Sequence, residues 1–181
     1  MSKGNFKNRI IRAAMLDSNL YEEVEADKSS QGQAMAIVVL ASIAAGIGLY
    51  KTGGFSGIIT GTMASLISWY VWAYLTYFIG TKFLPEPQTE ADLGELLRTI
   101  GFASSPGLLR VFYFIPGVGV LMFIIASLWM LVAMVIAVRQ ALDYDSTLRA
   151  VGVCVIGYII QIVVFMIIFS IFGGALPDAP A

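Results

Sequence analysis

A chain of 181 residues is long enough for one domain, and this one is 58% hydrophobic and only 13% charged. Average soluble domains carry roughly 25% charged residues, and no single core of this size encloses so much apolar surface, so the excess must face lipid. The net charge of −1 points to neither nucleic acid nor an acidic substrate. The absence of histidine, and a single cysteine at Cys154 inside an apolar run, exclude intramolecular disulfides, Cys/His metal clusters and His-based acid-base catalysis.

The first 32 residues are polar with both charge signs, which does not fit a secretory signal peptide. Phe6, Ile10, Ala13 and Ala14 form a weak apolar stripe, with Lys7, Arg9 and Arg12 off it. Asp17 or Ser18 can cap a second short helix carrying Leu20, Tyr21 and Val24. Gln33–Tyr50 then holds 18 uncharged residues, about the minimum for a membrane crossing.

A second apolar stretch, Ile58–Gly80, is longer and also uncharged. Trp69, Tyr70, Trp72, Tyr74 and Tyr77 crowd its inner half, and those nearest its end suit an interfacial aromatic belt. Pro85 and Pro87 close that region. Thr89 and Asp92 have capping-box spacing, and Leu93, Leu96, Leu97 and Ile100 recur at helical spacing. This predicts an amphipathic helix lying on the inner face and feeding a third span, Thr99–Ile115, which Pro106 and Arg110 interrupt.

Val118–Val138 and Leu148–Phe172 are the last two apolar runs. Asp145 or Ser146 can cap the last, and Trp129 reads as packing within the fourth. The residues after Gly173 include Pro177 and Pro180 and are expected to be disordered.

The third stretch decides the count. If it crosses, there are five spans and the termini lie on opposite sides; if it dips in and returns, there are four. Lys3, Lys7, Arg9, Arg12 and Lys28 place the N-terminus inside by the positive-inside rule. Five spans also keep Lys82, Arg98, Arg139 and Arg149 inside and leave only Lys51 in a clearly external loop, so five is preferred. The expected fold is thus all-α: an integral membrane bundle of five transmembrane helices with short cytoplasmic amphipathic helices. The spans fall at about 33–50, 58–80, 99–115, 118–138 and 148–172, after a cytoplasmic segment 1–32 and before a tail 173–181.

Polar residues inside spans are the candidates for function. Arg110 is better explained by snorkelling or structural pairing, and Gln161 by an interhelical hydrogen bond, than by contact with a solute. Small residues recur at four-residue spacing: Ser42 with Gly46, Gly57 with Gly61 and Ser65, Gly101 with Ser105, Ala103 with Gly107. That spacing lets helix backbones approach closely. Pro106 frees a carbonyl that Ser104 and Ser105 can help satisfy. No nucleophile elbow, phosphate loop, zinc-protease helix or dinucleotide fingerprint occurs, so no catalytic, cofactor or metal residues are expected.

The run Arg98-Thr99-Ile100-Gly101-Phe102-Ala103-Ser104-Ser105-Pro106-Gly107 carries an arginine, then Gly-aromatic-Ala, then proline. Together with Tyr21-Glu22-Glu23-Val24-Glu25 it resembles the Yip domain family of Ypt/Rab-interacting membrane proteins, from roughly Ile10 to Phe172. Arg98, Gly101, Phe102, Ala103 and Pro106 carry that motif. The eukaryotic members it resembles bind prenylated Rab-type GTPases in vesicle traffic. The short N-terminal arm and the missing Asp-Leu-Tyr-Gly-Pro segment make this chain look like a prokaryotic member, to which Rab binding does not carry over. The missing catalytic motifs, the charge distribution and the resemblance together lead to the expectation of a non-enzymatic protein of a prokaryotic plasma membrane, N-terminus cytoplasmic and C-terminus external. Its expected partners are lipid, a second copy or another membrane protein; the alternative is a small-solute transporter using Arg110 and Gln161.

Overall fold

Apolar runs in lipid fold as helices because the bilayer offers their amides and carbonyls no other partner. The protein, a computed structural model, is described for residues 5–48 and 50–172, and it is helical without a strand among them. In chain order come α1 (Phe6–Ala14), α2 (Ser18–Ala26), α3 (Gln31–Gly48), α4 (Tyr50–Phe78), α5 (Leu93–Ala103), α6 (Gly119–Ala141) and α7 (Thr147–Phe172). A 3-10 turn at Lys28–Ser30 leads into α3, a π turn at Ile79–Phe83 ends α4, and a 3-10 helix at Ser105–Phe114 continues α5. The expected disordered tail lies outside the described residues.

Among the described residues, four helical stretches are long and apolar enough to cross a membrane: Lys28–Ile47, Gly54–Phe83, Gly119–Ala141 and Thr147–Ile167. The predicted third span is not one of them. It is α-helical only to Ala103 and then tightens into ten residues of 3-10 helix. The amphipathic stretch that feeds it is exposed at Glu90 and Asp92 and turns inward from there. Arg98–Gly107 is buried without interruption, enclosed by α1, α2, α3, α4 and α6. A segment wrapped in protein need not be apolar, and irregular backbone is tolerated at membrane depth only under such cover.

Close contacts give the direction of this third segment. Gly101 faces Ala34 and Gly107 faces Ala41, so it runs parallel to α3. Against α6 it runs antiparallel: Gly107 lies by Met130, Arg110 by Ser127, and Tyr113 by Gly119. A Cβ on Gly101 would come within 2.8 Å of the Ala34 Cβ, so glycine is what allows this approach. Gly46 plays the same part between α3 and α4, where a Cβ would come within 2.8 Å of the Ile58 carbonyl oxygen.

Helix α4 breaks at Gly54, whose φ of 57° lies in the left-handed region open to glycine. Beyond the break, Ile59, Met63, Ile67, Tyr70, Tyr74 and Phe78 form one exposed stripe at helical spacing. Trp72 and Ala73 turn the other way, into a core shared with Leu96, Ile100, Val138 and Val153. Helix α7 changes character along its length. Ala150, Val153 and Cys154 are buried, whereas Ile162–Ile167 is exposed at every position, all the way round the helix.

Candidate functional site

The buried third segment and the N-terminal helices packed on it gather most of the polar chemistry near the spans. In an α-helix the Phe102 carbonyl would accept from the amide of residue 106, but Pro106 has none. The Ser105 hydroxyl fills the gap, donating to the Phe102 carbonyl at 2.6 Å, and the Ser104 hydroxyl donates to the Ile100 carbonyl at 3.1 Å. The serines thus let the chain pass from α to 3-10 geometry in the interior without stranding a carbonyl. At the other end, Asp92 accepts from the Glu95 amide at 2.8 Å and Glu95 from the Asp92 amide at 2.7 Å, a full capping box. The box pairs Asp92 with Glu95 rather than Thr89 with Asp92; the Thr89 hydroxyl instead accepts from the Glu86 amide at 2.8 Å.

Arg98 is 4% exposed, and it does not reach solvent as a topology-setting cation. Its Nε donates to the Val24 carbonyl at 3.0 Å, and its Nη2 donates to the Glu25 carbonyl. These carbonyls close α2, whose C-terminal end carries partial negative charge and no further helical amides. The motif arginine is therefore the pin that holds α2 to α5.

The N-terminal helices form a hairpin tied by charges. Arg9, expected off the apolar stripe, is 4% exposed. It donates to Glu23 at 2.9 Å, Asp27 at 2.8 Å and the Gln33 side chain at 3.1 Å. Arg12 donates to Asp17 at 2.7 Å and to Glu23 at 2.6 Å. Asp17, not Ser18, caps α2, accepting from the Asn19 amide. Below the ion pairs, Ala13, Leu20, Tyr21 and Val24 pack on Ala34, Ile37, Phe102, Ala103, Ala133 and Ala137. The Arg12 and Asn19 hydrogen bonds hold the Asp17 carboxyl below its ordinary range despite partial burial.

Glu25 is perturbed the other way. Burial, reinforced by Asp143, Glu95 and Glu22, outweighs Arg98 and raises its carboxyl to about 7. It stands where α2, α5 and the loop after α6 meet.

The two polar candidates inside the spans are not brought together. Arg110 donates to the Ser127 hydroxyl at 3.3 Å and stacks over the Phe123 ring at 5.1 Å, while its buried Nε has no hydrogen-bond partner. Gln161 donates to the Ser68 hydroxyl at 2.6 Å, joining α7 to α4. Trp129 does more than pack, since its indole nitrogen donates to the Ala14 carbonyl at 2.8 Å.

One knot had no sequence signal. The Tyr144 hydroxyl lies 2.9 Å from the Gly80 carbonyl and 2.7 Å from the Leu84 carbonyl, and Glu86 accepts from the Asp145 amide at 2.8 Å. With Arg149 paired to Glu86 at 3.3 Å, this clamps the loop before α5 to the loop before α7. Only a carboxylate in one loop and an arginine in the first turn of α7 could have hinted at it, and such pairs are too common to stand out. Among the described residues, no group of three or more His, Cys, Asp or Glu is arranged to hold a metal ion.

No curated protein and no solved structure is significantly similar to this chain. The Yip1 domain matches residues 18–170, from the first residue of α2 to near the end of α7, and takes in the Arg98–Gly107 run and the α2 end that Arg98 holds. A match over that much of the chain makes it an integral membrane protein that belongs to the Yip1 domain family.

Proposed function

We propose that this Yip1-domain protein works without catalysis, organising membrane or partner proteins through its helix bundle and the segments on its N-terminal side. It crosses the membrane five times, in the plasma membrane of a prokaryotic cell, with the N-terminus cytoplasmic and the C-terminus external. The observation that carries the reading is the third segment, packed against α6 from Gly119 by Tyr113 to the shared core of Ile100 and Val138. Helix α6 is long enough to cross, so a segment lying against it throughout crosses with it. Rab-type GTPase binding is not part of this proposal, and no nucleic acid or cofactor is invoked. A solute path through Arg110 and Gln161 gains no support from their positions, since each is engaged with a different helix.

Reporter fusions after Ala141 and at the C-terminus test the topology. Five crossings put the first inside and the second outside; both on one side would sink the count. Affinity purification in mild detergent tests the organising role, with a specific partner or a defined oligomer expected. A lone monomer in several detergents would remove that role.

A further inference from the structure

Charge is divided unevenly between the two ends of the bundle. Every Asp and Glu among the described residues lies before α3, between α4 and the first turn of α5, or between α6 and α7. All of these places are at one end. Helix α4 returns antiparallel to α3, with Ile58 and Thr62 by Gly46, and the third segment leaves again parallel to α3. Helix α6 returns against it, and α7 leaves antiparallel to α4, with Gly157 by Trp72 and Gln161 by Ser68. The remaining acid, Asp178, is outside the described residues.

Arg110 stands toward the opposite end, where none of the described residues is a carboxylate. Its Nη2 donates to the Ser127 hydroxyl at 3.3 Å, a neutral acceptor that itself donates to the Phe123 carbonyl at 2.7 Å. Its Nε is enclosed and unpartnered, whereas Nη1 also lacks a protein partner but is not enclosed. A guanidinium has five N–H donors and keeps its charge in proteins. One long hydrogen bond and the face of the Phe123 ring, 5.1 Å away, leave most of that demand unmet.

The missing anion has to come from outside the described chain, on the Nη1 side. Helix α6 starts at Gly119 and is long enough to cross the membrane. Phe123 and Ser127 follow its start by about 6 and 12 Å at 1.5 Å per residue, so the guanidinium belongs to the leaflet opposite the N-terminal end. Snorkelling and local thinning of the bilayer bring lipid phosphates to an arginine so placed. Phe112, Tyr113 and Phe123 are exposed around it, and Tyr113 packs edge-on against Phe123 with ring centres 5.8 Å apart. This aromatic rim suits the glycerol and acyl chains of an amphiphile better than a hydrated free anion.

We propose that Arg110 binds the phosphate of an anionic phospholipid in the leaflet opposite the N-terminus, with Nη1 donating to a phosphate oxygen and the Tyr113–Phe123 pair lying against the lipid. A headgroup of net negative charge neutralises the arginine, which a zwitterionic one does not. The planar guanidinium also suits phosphate oxygens.

Native mass spectrometry of the full chain in mild detergent, titrated with phosphatidylglycerol or phosphatidylcholine, tests this. Arg110→Gln should weaken one phosphatidylglycerol site about tenfold, as loss of a charge-assisted hydrogen bond implies, and leave phosphatidylcholine binding unchanged. Unchanged phosphatidylglycerol binding overturns the proposal. Inorganic phosphate in large excess should not displace the lipid, and displacement would assign the site to a soluble anion instead. Asp178→Asn should bind as the wild type does; tighter binding would mark Asp178 as the arginine's own counter-charge and overturn the proposal. If Arg110→Gln does not fold, Arg110→Lys gives the second reading. It keeps the charge without the planar fork, so that site should weaken while its preference for phosphatidylglycerol stays, and affinity equal to the wild type overturns the proposal. The inference rests on α6 crossing the membrane and not on any organising role, so either can fail alone.

Discussion

The third segment and α7 run through the same bundle in opposite surroundings. Arg98–Gly107 is buried at every position, and it tolerates an arginine, two serines, a proline and a change of helix type. Ile162–Ile167 is exposed at every position and is wholly apolar. Lipid exposure demands apolar side chains and regular backbone, whereas protein cover releases both demands. Hydropathy therefore reads α7 easily and undervalues the segment at the centre of the fold.

The sharpest way to break this comparison is to take each segment out of the bundle. Fused singly into a membrane-insertion reporter, 147–172 should insert almost completely and 93–114 should largely fail. Charged residues near a helix centre cost about 2.5–3.5 kcal/mol each on that scale, and 93–114 carries Glu95, Arg98 and Arg110. Equal insertion would mean that the central segment does not depend on its neighbours.

Gly101→Leu should lower stability by about 3 kcal/mol through overpacking against Ala34. Ile162→Leu on the exposed turn of α7 should stay within about 0.5 kcal/mol. Thermal unfolding in detergent compares the two, and similar midpoints would erase the distinction. Arg98→Met comes next, at about 2 kcal/mol, because two helix-end carbonyls lose charge-assisted donors. The same variant should loosen the hairpin, read as faster amide exchange across α2.

The pH response of the enclosed side is smaller. Glu25 has its folded carboxyl raised to about 7, above its ordinary 4.5, so the folded state binds the extra proton between those values. That contribution is complete below about pH 4.5 and is lost as pH rises through about 7. The groups facing it are Asp143, Glu95 and Glu22, which repel its charge, and Arg98, which attracts it. Glu25→Gln should therefore melt at a midpoint that falls less between pH 5 and pH 8 than the parent's. Smallest of all is Gln161→Leu, at about 0.6 kcal/mol for one interhelical hydrogen bond. A much larger loss would mark Gln161 as more than a link between α7 and α4.

Composition and hydrophobic run length by themselves determined that the protein lives in a membrane, that it is helical, and where its four apolar helices lie, because lipid solvation acts on each segment independently. Local chemistry narrowed the α2 cap to Asp17 or Ser18, and marked the stripe Leu20, Tyr21 and Val24 and Gln161 as an interhelical hydrogen-bonding group. The tertiary structure alone decided the roles of Arg9, Arg98 and Trp129, whose partners lie 14 to 115 residues away along the chain. It also decided why the third segment can leave α-helical geometry at Pro106. Those outcomes depend on which surfaces enclose a residue, and enclosure is a property of the assembled bundle rather than of any window of sequence.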